Sequence, residues 1–406
     1  MLKLFELRGV VAALLLSSYV LAEGGEVYKC TDGIWLQSKS TCYSDLRSAF
    51  DAANSNTVDT IYVTGEITVD NEIPVRQSTN VIGQKCGGYM AKVFSGFNEN
   101  EDAIFRMVGS SGDKLLVKDI TFENRGGGHS RCIRSDEYDV NEKEARDDRF
   151  TKDSAYSLEI DNCRLRYFDS KARGGAAIFL QAVESVVIKN SDFEHNHVTV
   201  PDTGDEERFG GGGTLWFQEL RRSTNYILIE DSTFLNNSME FEHGLGGAFF
   251  VGNCLGQVDI VDSTFLENIA SDGGAVHIAR VGITTTVNID GRFERNQARE
   301  QGWGSRAAAR DSNNYASNGR GLVANNRASG DAVVTFAGTF INNRVDSSSI
   351  FDSSKLFQGT LVVKKGTKFQ GNVPGRGIKL SNSSTKLYVQ QSEINNSKAD
   401  LVYRVD

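Results

Sequence analysis

The segment KNSDFEHN at 189–196 returns as EDSTFLNN at 230–237, VDSTFLEN at 261–268 and IDGRFERN at 289–296. Shorter versions, AGTFINN at 337–343 and GTKFQGN at 366–372, extend the series, and weaker copies sit at 119–124, 162–168 and 391–397. Aligned on one apolar anchor, the copies read Phe122, Leu165, Phe193, Phe234, Phe265, Phe293, Phe340, Phe369 and Ile394. Three residues after the anchor stand Asn196, Asn237, Asn268, Asn296, Asn343 and Asn372; three before it stand Asp119, Asn162, Asn190, Asp231, Asp262 and Asp290. Apolar pairs spaced by two precede the turn: Leu115/Val117, Leu158/Ile160, Val186/Ile188, Ile227/Ile229, Val258/Ile260 and Leu387/Val389. That alternation is the period of a half-buried strand. In the copies anchored on Phe293, Phe340 and Phe369 the pair shifts by one residue, which predicts a bulge or a turn of different length.

Successive anchors lie 25 to 47 residues apart. A unit of that size cannot bury its apolar face alone, so units must stack. The fold class expected is all-β, a right-handed parallel β-helix. Phe193, Phe234, Phe265 and Phe293 would form an interior column, and Asn196, Asn237, Asn268 and Asn296 a second column at a turn, bonding backbone and one another. Gly174-Gly175-Ala176, Gly211-Gly212-Gly213, Gly246-Gly247-Ala248 and Gly273-Gly274-Ala275 each precede an apolar strand. Glycine permits a tight corner there; no phosphate-loop pattern is present. Ser44 is a candidate N-cap for a short helix presenting Leu46, Ala49, Phe50 and Ala53, suited to cover one end of the stack.

The N-terminus carries Lys3 and Arg8, an apolar run to Leu21 and small residues around Ala22, the pattern of a secretory signal peptide cleaved after Ala22. The organisation expected is signal peptide 1–22, N-terminal cap 23–60, β-helix 61–397 with loop insertions near 133–153 and 299–320, and a C-terminal tail 398–406. No later run is long and apolar enough for a transmembrane segment. The chain carries a net charge of −9, which disfavours nucleic acid as a partner. Six cysteines, Cys30, Cys42, Cys86, Cys132, Cys163 and Cys254, are disulfide candidates in a secreted chain. Asn236, Asn382 and Asn395 are glycosylation candidates.

The F-x-x-N motif followed by Gly-Gly-Ala and an apolar strand resembles the repeats of bacterial polymorphic outer-membrane proteins, within the wider pectin-lyase-like β-helix superfamily. The resemblance spans residues 115–300 closely and 300–397 loosely. It implies a surface-exposed, often adhesive β-helix; the membrane barrel of that family has no counterpart here, so outer-membrane anchoring is not expected. The superfamily also contains polysaccharide lyases, which need a cationic base and Ca²⁺ or another cation beside a uronate carboxylate.

No catalytic constellation is legible, and no metal set: the Asp119, Asp231, Asp262 and Asp290 series occupies a turn register, and His195, His197 and His243 read as scattered. The position four before the anchor alternates in charge, Lys118, Asp161, Lys189 and Glu230, a candidate glycan-contact strip whose plainer reading is a solvated sheet face with cross-strand ion pairs. The expectation is a secreted or cell-surface, non-catalytic protein that binds extracellular polysaccharide or a cell-surface partner, without a cofactor. The alternative is a polysaccharide lyase, with Ca²⁺ if so.

Overall fold

The computed structural model describes residues 19–21, 27–29, 33–54, 57–85, 88–97, 102–108, 112–135, 156–171, 174–199, 212–220, 222–239, 244–271, 273–281, 285–299, 323–328, 332–345, 351–357, 359–373, 378–380, 386–390 and 402–404. The chain is all-β apart from one α-helix and a 3-10 turn among these residues, and all strands but the antiparallel pair Tyr19–Leu21 and Val27–Lys29 join in one large, mostly parallel hydrogen-bonded array. Within the array the strands of the repeats pair with their counterparts one repeat earlier and one repeat later. Lys114–Lys118 pairs with Tyr156–Asp161, which pairs with the second half of Ile178–Lys189, then Tyr226–Glu230 and Gln257–Leu266. A second series runs Asp102–Met107, Ser130–Ser135, Ile178–Lys189, Leu215–Leu220, Phe249–Cys254 and Val276–Val281.

Two columns run through the array. The rings of Phe193, Phe234, Phe265, Phe293 and Phe340 stack at 4.7–4.9 Å and near-parallel, all fully buried or within 1% of it. That spacing is the strand separation itself, so equal side chains at equal register must meet face to face. Beside them, the amide of each Asn bonds the next: Asn237 Nδ2 donates to Asn268 Oδ1 at 2.9 Å and Asn268 Nδ2 to Asn296 Oδ1 at 2.8 Å, and each also donates to the anchor's backbone carbonyl one repeat back along the chain, Asn268 to Phe234 O at 2.9 Å. The series continues through Asn343 to Asn372.

The corner before the anchor explains its Asp and Asn. Asp119, Asn162, Asn190, Asp231 and Asp262 have φ of 47–59°, a left-handed conformation that short side chains bonding locally tolerate best. Asp290 escapes this: the register shifts by one residue opposite Ile260/Ser263, so its copy is one residue shorter at the corner. The copy at Phe369 has instead a longer turn, with Val363 and Lys368 opposite Phe336 and Thr339.

At the N-terminal end, Gly33–Leu36 pairs antiparallel with Asp59–Thr64. Helix Leu46–Ala52 buries Leu46, Ala49 and Phe50, and its N-cap is Asp45 rather than Ser44, because the Asp45 carboxylate accepts from Ser48 N–H at 2.8 Å. Asp59 ties this region down: burial opposes its charge, but bonds from Ser38, Asn54 and Thr60 outweigh that and hold its pKa below the usual range.

Two observations bear on the sequence expectation. Val402–Arg404, assigned to a tail, pairs in parallel with Ile378–Leu380. No disulfide joins cysteines among the described residues: Cys42 is exposed, and Cys132, Cys163 and Cys254 are buried thiols. Burial pushes Cys163 and Cys254 up to about 12, and Cys132 upward too, with Cys163 nearby adding to it, so these sulfurs pack as small apolar groups. Cys30, Cys86 and the loops beyond Ser135 and Arg299 lie outside the described residues.

Candidate functional site

Parallel pairing turns the strand alternation into outward rows that run across many strands. The candidate strip is one such row: Lys118 lies opposite Asp161, Asp161 opposite Lys189, Lys189 opposite Glu230, and Glu230 opposite Val261. The structure thus brings all four charges together, in a form that neutralises them. Lys118 Nζ is 3.2 Å from Asp161 and Lys189 Nζ is 2.8 Å from Glu230. The hydrogen bond to Glu230 raises the Lys189 pKa, the opposite of what a lysine acting as a base at neutral pH needs. Exposed pairs of this kind contribute little to stability.

Four residues earlier along each strand lies a row that sequence reasoning missed. Lys114, Ser157, Ser185 and Tyr226 stand opposite one another in turn. Together with Gly112, Glu184 and Thr224 they line a groove of about 270 Å³. Its floor is polar and ordered: Ser185 Oγ donates to Ser157 Oγ at 3.0 Å, and Lys114 pairs with Glu159. Tyr226 is 42% exposed and supplies the apolar wall. These residues all stand eight before an anchor, Phe122, Leu165, Phe193 and Phe234. The column was available in the sequence, but its residue types differ from copy to copy, so no consensus flagged it.

The second strand series has an outward row of a different kind. Phe179, Trp216 and Phe250 alternate with core residues on the same strands and form a separate apolar cluster, with His277 stacked on Phe250 at 5.6 Å. All are buried, and burial alone pushes His277 down to about 3. The glycine corners permit this row: Gly212, Gly246 and Gly273 have positive φ, and a Cβ on Gly273 would sit 2.8 Å from the His277 Cβ.

The other residues singled out from sequence do not converge. His195 stacks on Tyr167 at 5.5 Å and meets the Asn236 amide at 2.9 Å, while His197 bonds Ser238 Oγ at 2.7 Å. His243, Asn382 and Asn395 lie outside the described residues. Among the described residues no three His, Cys, Asp or Glu side chains gather in a metal-binding arrangement. No family model matches the chain, and no curated protein shows significant similarity to it.

Proposed function

We propose that this chain is a right-handed parallel β-helix acting outside the cell as a non-catalytic glycan-binding protein of adhesion or matrix type, akin to the repeats of polymorphic outer-membrane proteins. Parallel pairing of the described repeats, in register but for the one-residue shift opposite Ile260/Ser263, and the Phe and Asn columns support the β-helix. The amino-terminal pattern ending at Ala22 supports export; mature protein beginning at Glu23 by mass spectrometry is the expected outcome, and an intact Met1 start would refute it.

The observation that carries the binding reading is the groove over Lys114, Ser157, Ser185 and Tyr226. It combines one aromatic ring with hydroxyls and a carboxylate, in a row running up the stack, as a linear polymer of hydroxyl-rich rings requires. Screening of the purified protein against immobilised glycans tests it. Tyr226→Ala should weaken binding about tenfold while leaving the unfolding midpoint unchanged; a variant that binds as well as the parent removes the groove from consideration. The polysaccharide lyase is the rival reading. The pairing of Lys118 and Lys189 with acids weighs against a base there, so pectate and alginate should yield no unsaturated product absorbance, with or without Ca²⁺.

A further inference from the structure

Charge is segregated along this chain. Residues 361–406 hold eight Lys and Arg against three Asp and Glu, a net of +5 in a chain of −9, so residues 1–360 carry −14. On the earlier repeats the outward cations are matched: Lys92 with Glu66, Lys118 with Asp161, Arg166 with Glu123, Lys189 with Glu230 and Arg295 with Glu267. Near the C-terminal end three lysines stand apart from this matching. Lys364 and Lys365 are exposed just after Thr360–Val363, and Lys386 is exposed at the start of Lys386–Val389. None of the three forms an ion pair among the described residues. Between them lies Tyr388, 58% exposed, opposite Val362 on the neighbouring strand.

From this juxtaposition we propose that the C-terminal end of the face anchors an acidic polysaccharide. Lys364, Lys365 and Lys386 meet its carboxylate or sulfate groups, and Tyr388 packs against a sugar ring. This rests on the glycan-binding reading above and adds the charge class and the point of attachment. The register makes the two regions one surface. From Tyr226 the row passes Gln257, continues through Thr286, Val333 and Thr360, and ends at Lys386. That is five strand steps, about 24 Å at ~4.8 Å each. A polyanion is repelled by the acidic body and drawn to the basic end, a bias that acts within roughly 10 Å in ordinary salt. Cations that form no ion pair among the described residues bind it without first breaking one.

The test titrates the full-length secreted protein with polygalacturonate, a sulfated glycan and the fully methyl-esterified, neutral form of the first polymer, at low and physiological salt. Both acidic polymers should bind, with affinity falling as salt rises. Lys364→Glu/Lys365→Glu/Lys386→Glu should weaken them at least tenfold, whereas Lys39→Glu/Arg47→Glu/Lys92→Glu at the opposite end changes affinity less than about twofold. Tyr388→Ala should weaken binding without altering its salt dependence. Unchanged unfolding midpoints in these variants confine the effect to the surface. Equal binding by the parent and the basic-end variant overturns the proposal. So does binding of duplex DNA or anionic vesicles as tight as that of the glycans and indifferent to Tyr388. Neutral polymer bound through Tyr226 but not the lysines overturns it while sparing the glycan reading; no binding of any polymer removes both.

Discussion

Asn268 shows how much one buried amide does in this protein. Its Oδ1 accepts from both the backbone N–H and the Nδ2 of Asn237, and its own Nδ2 donates to Phe234 O and Asn296 Oδ1. Truncation therefore strands several polar atoms in a fully buried site, each worth roughly 1–3 kcal/mol. The neighbouring Phe265 loses packing and leaves a cavity when truncated, about 3–5 kcal/mol. With the bonds counted, Asn268→Ala should destabilise at least as much as Phe265→Ala. Denaturant midpoints for the two variants decide it, and an amide change below about 1 kcal/mol would show that the column is dispensable.

His277 makes a second prediction at this scale. Burial holds it neutral when folded, with a pKa near 3 against 6.5 for an ordinary histidine. The unfolded chain takes up a proton below pH 6.5 and the folded one does not, so stability falls as pH drops from 6.5 toward 3; above 6.5 the effect vanishes. His277→Phe, continuing the Phe179–Trp216–Phe250 row, should flatten that acid limb. A pH–stability curve identical to the parent's between 4 and 6.5 would assign the acid sensitivity elsewhere.

At the scale of the element, the corners decide where the strands go. Gly247 occupies a corner where an added Cβ would lie 2.3 Å from Gly274 O and 2.7 Å from Ile269 O. Both obstacles are backbone, so nothing flexible yields. Gly247→Ala should destabilise by about 2 kcal/mol or more and disturb the Phe249–Cys254 strand first, visible as lost amide protection there. Protection unchanged across that strand would mean the corner relaxes. The same elements show what the sequence makes readable. Strand positions follow from strict alternation, and the Asp and Asn corners follow from residue type, because both are local properties. The bulge opposite Ile260/Ser263 showed itself as a one-residue shift of Val287/Ile289. The choice of Asp45 over Ser44 as cap did not, since adjacent residues are equally able to cap.

On the scale of the whole molecule, the candidate site went unread because no consensus of residue type marks its row. Lys114, Ser157, Ser185 and Tyr226 hold the same position, eight before an anchor, but differ in chemistry, so only their stacking shows them as one row. The charged strip was legible for the opposite reason: its alternating signs are conspicuous in an alignment. That same alternation closes it into ion pairs.

The amide column has one more consequence, for how the chain tolerates being shortened. Every Asn presents the same donors toward one end and the same acceptor toward the other, so each joint is interchangeable with the next. Excising residues 238–268, one repeat of 31 residues, would splice Asn237 onto Ile269 and hand its backbone and side-chain donors to Asn296. Phe234 would then face Phe293 at the ring spacing already found on either side of the cut. The shortened protein should remain monodisperse by gel filtration with the same strand content per residue; an aggregate would show that individual repeats are not exchangeable. Each excision also moves Tyr226 and Lys386 closer by one strand, about 4.8 Å. The length of the surface is therefore a dial, adjustable in whole repeats without redesigning any one of them.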